Sequence, residues 1–176
     1  MPMLLCIRIL NIILTCSSSS TFCKHYYHTL VDHIVSLNFN NTSNLPLYFA
    51  AIKLWDQCPL EILLIAANNI NEFSLKLLNV WHLPTQVIST YCLTILIHRC
   101  DTKLEYLLPK IIVELYRVIL YYERNVSFDI AGSSREQINS YVAFVKYLLI
   151  YIQQIDENSF TKLITEIDEF KNIILI

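Results

Sequence analysis

The sequence predicts an all-α fold, a bundle of five to six helices, and three observations carry that expectation. The 176 residues include one glycine and five prolines. That leaves almost none of the positive-φ positions used by hairpins, nucleotide-binding loops and tight β-turns. Apolar residues recur at i, i+3, i+4 and i+7 between polar links, the period of amphipathic helices. And 55% of the chain is apolar, ample for one domain with a continuous core that needs no metal or cofactor.

The elements follow in order. Residues 1–20 resemble a secretory signal: an apolar stretch from Leu4 to Leu14 leads into small residues suited to cleavage near Ser18 to Ser20. Arg8 and Asn11 interrupt that stretch and no early Lys or Arg precedes it, so a short buried helix is the alternative. The stretch is too short for a bilayer, which takes about 20 residues. Later apolar runs are broken by Lys, Glu or Arg at helical intervals, so no membrane insertion is expected. The folded domain is then 21–176, in a secreted protein.

Within it, Tyr27, Leu30, Val31 and Ile34 give the 23–37 segment one apolar helical face. Residues 38–46 read as a polar loop and 47–56 as a short helical piece. Pro59 fits the first turn of the next helix, whose Leu63, Ala66, Ile70, Phe73, Leu77 and Val80 alternate by three and four. Pro84 breaks that run at Trp81-His82-Leu83, and a helix over 85–98 follows. Asp101 or Thr102 is read as the cap of a helix reaching Glu123, with Glu105 completing a capping box and a kink near Pro109. Its charges Lys110, Glu114 and Arg117 fall on one stripe, the mark of a core helix rather than a membrane span.

Residues 124–134, holding Gly132, read as a loop. Ser133 with Glu136 and Ser134 with Gln137 both fit capping boxes for a helix over 135–154. Its inner face is Ile138, Tyr141, Val142, Val145, Leu148, Leu149 and Ile152. Phe144, Tyr147, Ile150 and Tyr151 make it apolar nearly all round, so that face is expected to be covered by the bundle or by a second chain, a homodimer included. Asp156 to Ser159 reads as a short turn. The last helix, 160–174, buries Phe160, Leu163, Ile164, Ile167, Phe170 and Ile174.

The chemistry of an enzyme is not visible. His25, His28 and Asp32 share a face of the first helix at a spacing that could hold a metal, but they also form the solvated side opposite its apolar stripe, and no third strong ligand is implied; no metal and no cofactor are expected. His33, His82 and His98 lack motif partners, and Glu61, Glu72, Glu105 and Glu114 are isolated acids. A single glycine excludes the glycine-rich nucleotide loops and the nucleophile elbow. With 13 basic against 15 acidic residues and no basic cluster, nucleic acid is not an expected partner. The enrichment in Ile, Leu, Asn and Tyr is similar to that of proteins from AT-biased genomes, such as those of large DNA viruses or parasites.

Of six cysteines, Cys6 and Cys16 would leave with a signal, and Cys23, Cys58, Cys92 and Cys100 remain, an even number that suits an oxidising compartment. Cys92 and Cys100 lie about 12 Å apart along one helix, too far to bridge. Two pairings stay open: Cys23–Cys92 with Cys58–Cys100, or Cys23–Cys100 with Cys58–Cys92. Four buried, reduced cysteines in a cytosolic protein are the third possibility. Glycosylation sequons begin at Asn40, Asn41 and Asn125, all in stretches read as loops.

The run Lys162-Leu-Ile-Thr-Glu-Ile-Asp168-Glu-Phe-Lys-Asn-Ile-Ile174 resembles the final-helix signature of the interleukin-10 family of class II helical cytokines. Residues 145–155 sit where that family has its penultimate helix, residues 75–109 resemble its third-helix region, and Cys23 falls just after the leader as the family's first cysteine does. The likeness covers about Phe144 to Ile174 well, 75–109 less well, and not 38–72. Leu163 stands where the family has a small residue, and no cysteine follows Cys100, which puts a swapped-dimer architecture in doubt. The resemblance implies a secreted ligand of class II cytokine receptor chains that modulates immune signalling, as a host cytokine or a viral mimic. It implies that Lys162, Thr165 and Asp168, with His28, Asp32 and the 38–46 stretch, form the receptor site; if the chain is secreted, Cys23 is expected to pair with Cys92. The competing reading is an intracellular Bcl-2-like helical protein that blocks apoptotic or innate signalling through a helix-binding groove, although no Asn-Trp-Gly-Arg motif or C-terminal anchor is present.

Overall fold

A computed structural model of the chain describes residue 52 and residues 55–124 and 133–174; of Thr102 and of residues 167–174 it describes the backbone alone. All the regular structure among the described residues is helical. The chain divides into two compact units, Met1–Cys100 and Asp101–Ile176.

The N-terminal unit is built on a hairpin of α1 (Leu60–Leu78) and α2 (Leu83–Cys100). Pro59 occupies the N-cap position of α1 rather than its first turn, and its carbonyl accepts from the amides of Ile62 and Leu63, both at 3.1 Å. The expected stripe Leu63, Ala66, Ile70, Phe73 and Leu77 is buried, because a period of three and four keeps it on one side of the cylinder. Trp55 is fully buried and packs edge-on against Phe73, ring centroids 5.5 Å apart. Pro84 does not delay α2: it sits inside its first turn, where its missing N–H has no partner to lose, and the carbonyl of His82 takes the amides of Thr85 and Gln86. The His82 ring and the Thr85 hydroxyl share a hydrogen bond of 2.8 Å across this turn.

Polar side chains lie inside this hairpin. Gln86 Nε2 donates to the carbonyl of Leu78 at 2.9 Å, and Ser89 Oγ donates to that of Ser74 at 2.6 Å. Ser74, Gln86 and Ser89 are all fully buried. Leu78 ends α1, so its carbonyl is one of the four that a helix cannot satisfy itself; Gln86 supplies the donor from the neighbouring helix.

In the C-terminal unit the expected helix from Asp101 or Thr102 to Glu123, kinked near Pro109, is two segments, and its cap is corrected. Asp101 has φ 46°, the left-handed conformation of a residue that ends a helix rather than caps the start of one. A 3-10 segment, Asp101–Leu107, follows, with non-helical angles at Leu104 (φ −117°, ψ 19°), and α3 runs Leu108–Arg124. The break therefore falls five residues before Pro109, which removes an amide and crowds the carbonyl four residues upstream, so an α-helix cannot pass through it unperturbed. α4 is Arg135–Ile155, and of the two capping boxes it uses Ser134 with Gln137: the Gln137 amide donates to Ser134 Oγ at 3.2 Å and the Ser134 amide to Gln137 Oε1 at 2.8 Å. α5 is Glu157–Ile174, so the expected turn at 156–159 shrinks to Asp156. Along α4, Tyr141, Val145, Leu148, Leu149 and Ile152 are buried as expected, while Ile138 and Val142 are only half-buried. Tyr141 meets the buried Tyr122 of α3 edge-on, centroids 5.8 Å apart, and burial, with a smaller contribution from Tyr121, pushes the Tyr122 hydroxyl up to about 12.

Two stability predictions follow from these helix ends. Gln86→Ala leaves the Leu78 carbonyl buried without a donor and should cost about 2–3 kcal/mol in urea denaturation, against under about 0.5 kcal/mol for Lys76→Ala on the exposed side of α1; equal effects would show that the Gln86 bond does not matter. Asp101→Val, which forces a β-branched side chain into the left-handed region, should cost about 1–2 kcal/mol, whereas Asp101→Gly should lose no stability.

Candidate partner-binding surfaces

α5 begins on a side-chain cap. Asp156 Oδ1 accepts from the Ser159 amide at 3.0 Å, and the Asp156 carbonyl from the Phe160 amide at 3.1 Å. The helix so started turns Phe160, Leu163 and Ile164 toward the unit, where each is half-buried, and leaves Lys162, Thr165 and Glu166 exposed. Thr165 Oγ1 donates back to the Thr161 carbonyl at 2.9 Å, which holds its methyl and hydroxyl against the helix surface. Lys162 takes part in no ion pair among the described residues. The structure thus brings Lys162 and Thr165 onto one open face. Asp168 is on the same helix, but its side chain lies outside the described residues, as do His28, Asp32 and the 38–46 stretch.

A second surface lies between α3 and α4. Tyr116, Ile119, Leu120 and Glu123 on one side and Lys146, Leu149 and Ile150 on the other line an open cleft of about 390 Å³, within the range of small-molecule and side-chain pockets. Lys146 Nζ donates to Glu123 Oε1 at 2.7 Å at its rim; both side chains are about half exposed, so this ion pair stabilises the cleft by no more than about 1 kcal/mol. Beside it, Ile150 is 55% and Tyr147 58% exposed. Of the face expected to be covered by the bundle or by a second chain, Phe144 and Tyr151 are half-buried within this chain, while Tyr147 is exposed and the buried side of α4 carries Val145, Leu148 and Ile152. A helix apolar all round does not say which side is covered.

The cysteines depart from the expected pairing. Cys58, Cys92 and Cys100 are buried and stand as thiols, so neither bond expected of Cys58, to Cys100 or to Cys92, is formed in this structure. The Cys58 S–H donates instead to the Trp55 carbonyl at 3.4 Å. Arg99 Nη1 donates to that same carbonyl at 2.7 Å and lies 4.0 Å from Cys58 Sγ. Burial pushes the Cys58 thiol up to about 11 against the opposing pull of Arg99. Cys92 is held far above the usual thiol range by burial, with the Ser74 hydroxyl acting weakly the other way. Cys23, Asn41 and Asn125 lie outside the described residues, and so do His25 and the 1–20 stretch.

Among the described residues no group of three His, Cys, Asp or Glu is placed to hold a metal ion, and no helix is long and apolar enough to cross a membrane. Sequence reasoning missed Gln86, Ser89 and Arg99. The first two were visible only as polar residues falling among the buried positions of an amphipathic pattern, and Arg99 carried no local signal, since its partner is the Trp55 carbonyl far away in sequence. No protein family, curated protein or solved structure matches the chain.

The α5 cap has a pH signature. The Ser159 side chain, and then its amide, hold the Asp156 carboxyl below its ordinary value. A lowered carboxylate stabilises the fold above its unfolded-state pKa of about 3.9 and loses that contribution as pH falls through the lower folded value. The Ser159 amide resonance should therefore be flat at neutral pH and titrate only in acid, below the ordinary Asp range. In Asp156→Asn, whose amide oxygen caps at every pH, that titration should vanish; its persistence would remove Asp156 as the cap.

Proposed function

We propose that this chain is a protein-binding helical ligand that presents the outer face of its last helix to a receptor, in the manner of a secreted cytokine of the class II helical type. The observation that carries the reading is Lys162 with Thr165, exposed on α5 over a half-buried apolar side. The core does not need these residues, so their side chains are available to a partner. The sequence resemblance of residues 162–174 to the final helix of the interleukin-10 family supports the choice of receptor class, and Asp168, His28 and Asp32 belong to the same proposed surface. Recognition by Lys162 and Asp168 would rest on desolvated charge pairs, whose loss at interfaces costs about 2–5 kcal/mol. The proposed ligand is secreted after removal of 1–20 and takes glycans at Asn41 and Asn125.

A second reading draws on a different observation, the apolar cleft between α3 and α4 with Tyr147 and Ile150 beside it. It fits an intracellular Bcl-2-like protein that takes an amphipathic helix into a groove through anchors at i, i+3 and i+4. Sequencing the N-terminus of the protein from expressing cells separates the two: a start near Thr21 supports the secreted ligand, and a retained Met1 supports the intracellular one.

The binding site itself is tested by charge reversal. Lys162→Glu with Asp168→Lys should change folding stability by under about 0.5 kcal/mol and weaken binding to a class II cytokine receptor by about 2 kcal/mol or more, read by surface plasmon resonance. A double mutant that folds normally and binds as tightly as the wild type removes this face from the interface.

A further inference from the structure

Two of the buried thiols lie at the same end of the α1–α2 hairpin. The bonds Ser89 to Ser74 and Gln86 to Leu78 run between residues whose numbers fall on one helix as they rise on the other, so the helices are antiparallel and the end of α2 lies beside the start of α1. Cys58 precedes α1 by two residues, and Cys100 is the last residue of α2. Arg99, next to Cys100, reaches across to the Trp55 carbonyl and to Cys58 Sγ, so the backbone before α1 is tied to the last turn of α2. Both thiols are at most 2% exposed. Charge on either sulfur is felt by the other, since Cys100 opposes ionisation of Cys58. Cys92 stands apart, two turns further back along α2 and against Ser74.

We infer that Cys58 and Cys100 form a redox clasp, a thiol pair that a small-molecule disulfide converts to an internal bridge closing the open end of the α1–α2 hairpin. The exchange balances in two steps. A Cys58 or Cys100 thiolate, its proton released to solvent, attacks one sulfur of the disulfide RSSR, forming a mixed disulfide and releasing RS⁻. The second thiol then loses its proton, attacks the protein-side sulfur of the mixed disulfide and expels a second RS⁻, so that two protein thiols are oxidised and one RSSR is reduced to two RSH. Thiolate is the attacking species, so a raised thiol reacts slowly at neutral pH and faster in alkali. Arg99 helps by stabilising the Cys58 thiolate, and its bond to Trp55 holds the two segments together while the exchange proceeds. The bridge closes a loop of about 40 residues, which restricts the unfolded chain and fixes the residue immediately before the left-handed Asp101. The inference does not depend on the proposed receptor, because the pair and its geometry lie in the N-terminal unit.

The test uses the full chain, purified reduced, incubated with oxidised glutathione under native conditions at pH 7 and pH 9, then alkylated and mapped by non-reducing peptide mass spectrometry. The expected product is one Cys58–Cys100 peptide, formed faster at pH 9, present also in Cys92→Ser and absent in Cys58→Ser. The oxidised chain should melt several degrees higher than the reduced one, with the difference erased by a reducing agent. A map in which Cys58 is bridged to Cys92 or Cys23, or stops at a glutathione adduct, overturns the pairing. So does a folded wild-type chain in which both thiols stay unreacted although urea exposes them to ready oxidation. A Cys58–Cys100 bridge without a rise in melting temperature overturns its action as a clasp.

Discussion

A helix leaves four carbonyls unpaired at its C-terminus and four amides at its N-terminus, and the usual device for closing the carbonyl end is a glycine in the left-handed conformation. This chain has one glycine in 176 residues, so its helices end by other means, and much of the described structure follows from that constraint. Side chains take over. Asn79 Nδ2 donates to the Leu75 carbonyl at 2.9 Å, and Gln86 reaches the Leu78 carbonyl from the neighbouring helix. Asp101 accepts the left-handed angles itself, as only a residue with a short polar side chain does at modest cost. Asp156 closes α4 with its amide, which donates to Ile152, and opens α5 with its carboxylate. One residue so used leaves no room for a loop, which is why α4 and α5 are separated by Asp156 alone.

The cross-helix cap has a consequence for the hairpin core. A carbonyl satisfied by its own helix says nothing about the neighbour, whereas Leu78 satisfied by Gln86, and Ser74 by Ser89, fixes how far α2 slides along α1. Sliding by one turn would strand two buried donors and cost about 1–3 kcal/mol for each. Apolar packing alone is more permissive, because hydrophobic contacts of similar volume exchange readily. The polar pairs therefore set the register and the apolar stripe supplies most of the burial. The same core also holds groups that work against it: among the described residues, Trp55 Nε1 and Asn71 Oδ1 are buried without a hydrogen-bond partner.

Which parts were legible in the sequence follows from whether the determining interaction is local. α1 was legible from Leu63 to Leu77 because period alone decides a buried stripe, and the start of α4 was legible because a capping box is a contact over three residues. The choice between Ser133 and Ser134 was not, since both boxes satisfy the same sequence pattern. Asp101 was misread for a related reason: an Asp beside a helix can cap the start of the next or end the one before, and the two differ in the sign of φ, which residue type does not encode. Whether the bundle or a second chain would cover Tyr147 was not legible, because an all-apolar helix carries no directional information. At the candidate surface, the outward position of Lys162 and Thr165 could be read from the wheel of α5, while the α3–α4 cleft, made by two segments distant in sequence, could not.

The two candidate surfaces differ in how they are supported, and that difference bears on how each would recognise a partner. The cleft is carried by α3 and α4, whose contacting sides are fully buried at Ile119, Tyr122, Tyr141, Leu148 and Ile152, so its shape is preformed and a partner meets it at little conformational cost. The α5 face is carried by a helix whose apolar residues Phe160, Leu163 and Ile164 are only half-buried. Less apolar area holds it in place, at roughly 25 cal/mol for each Å² removed from water. A partner that covers Lys162 and Thr165 would also shield those half-exposed residues, so part of its binding free energy would appear as stabilisation of α5 itself. The Asp156 cap lowers that coupling by starting the helix before any partner arrives. In the proposed contact at Lys162, the incomplete burial of Phe160, Leu163 and Ile164 would leave apolar surface beside the lysine for a partner to cover.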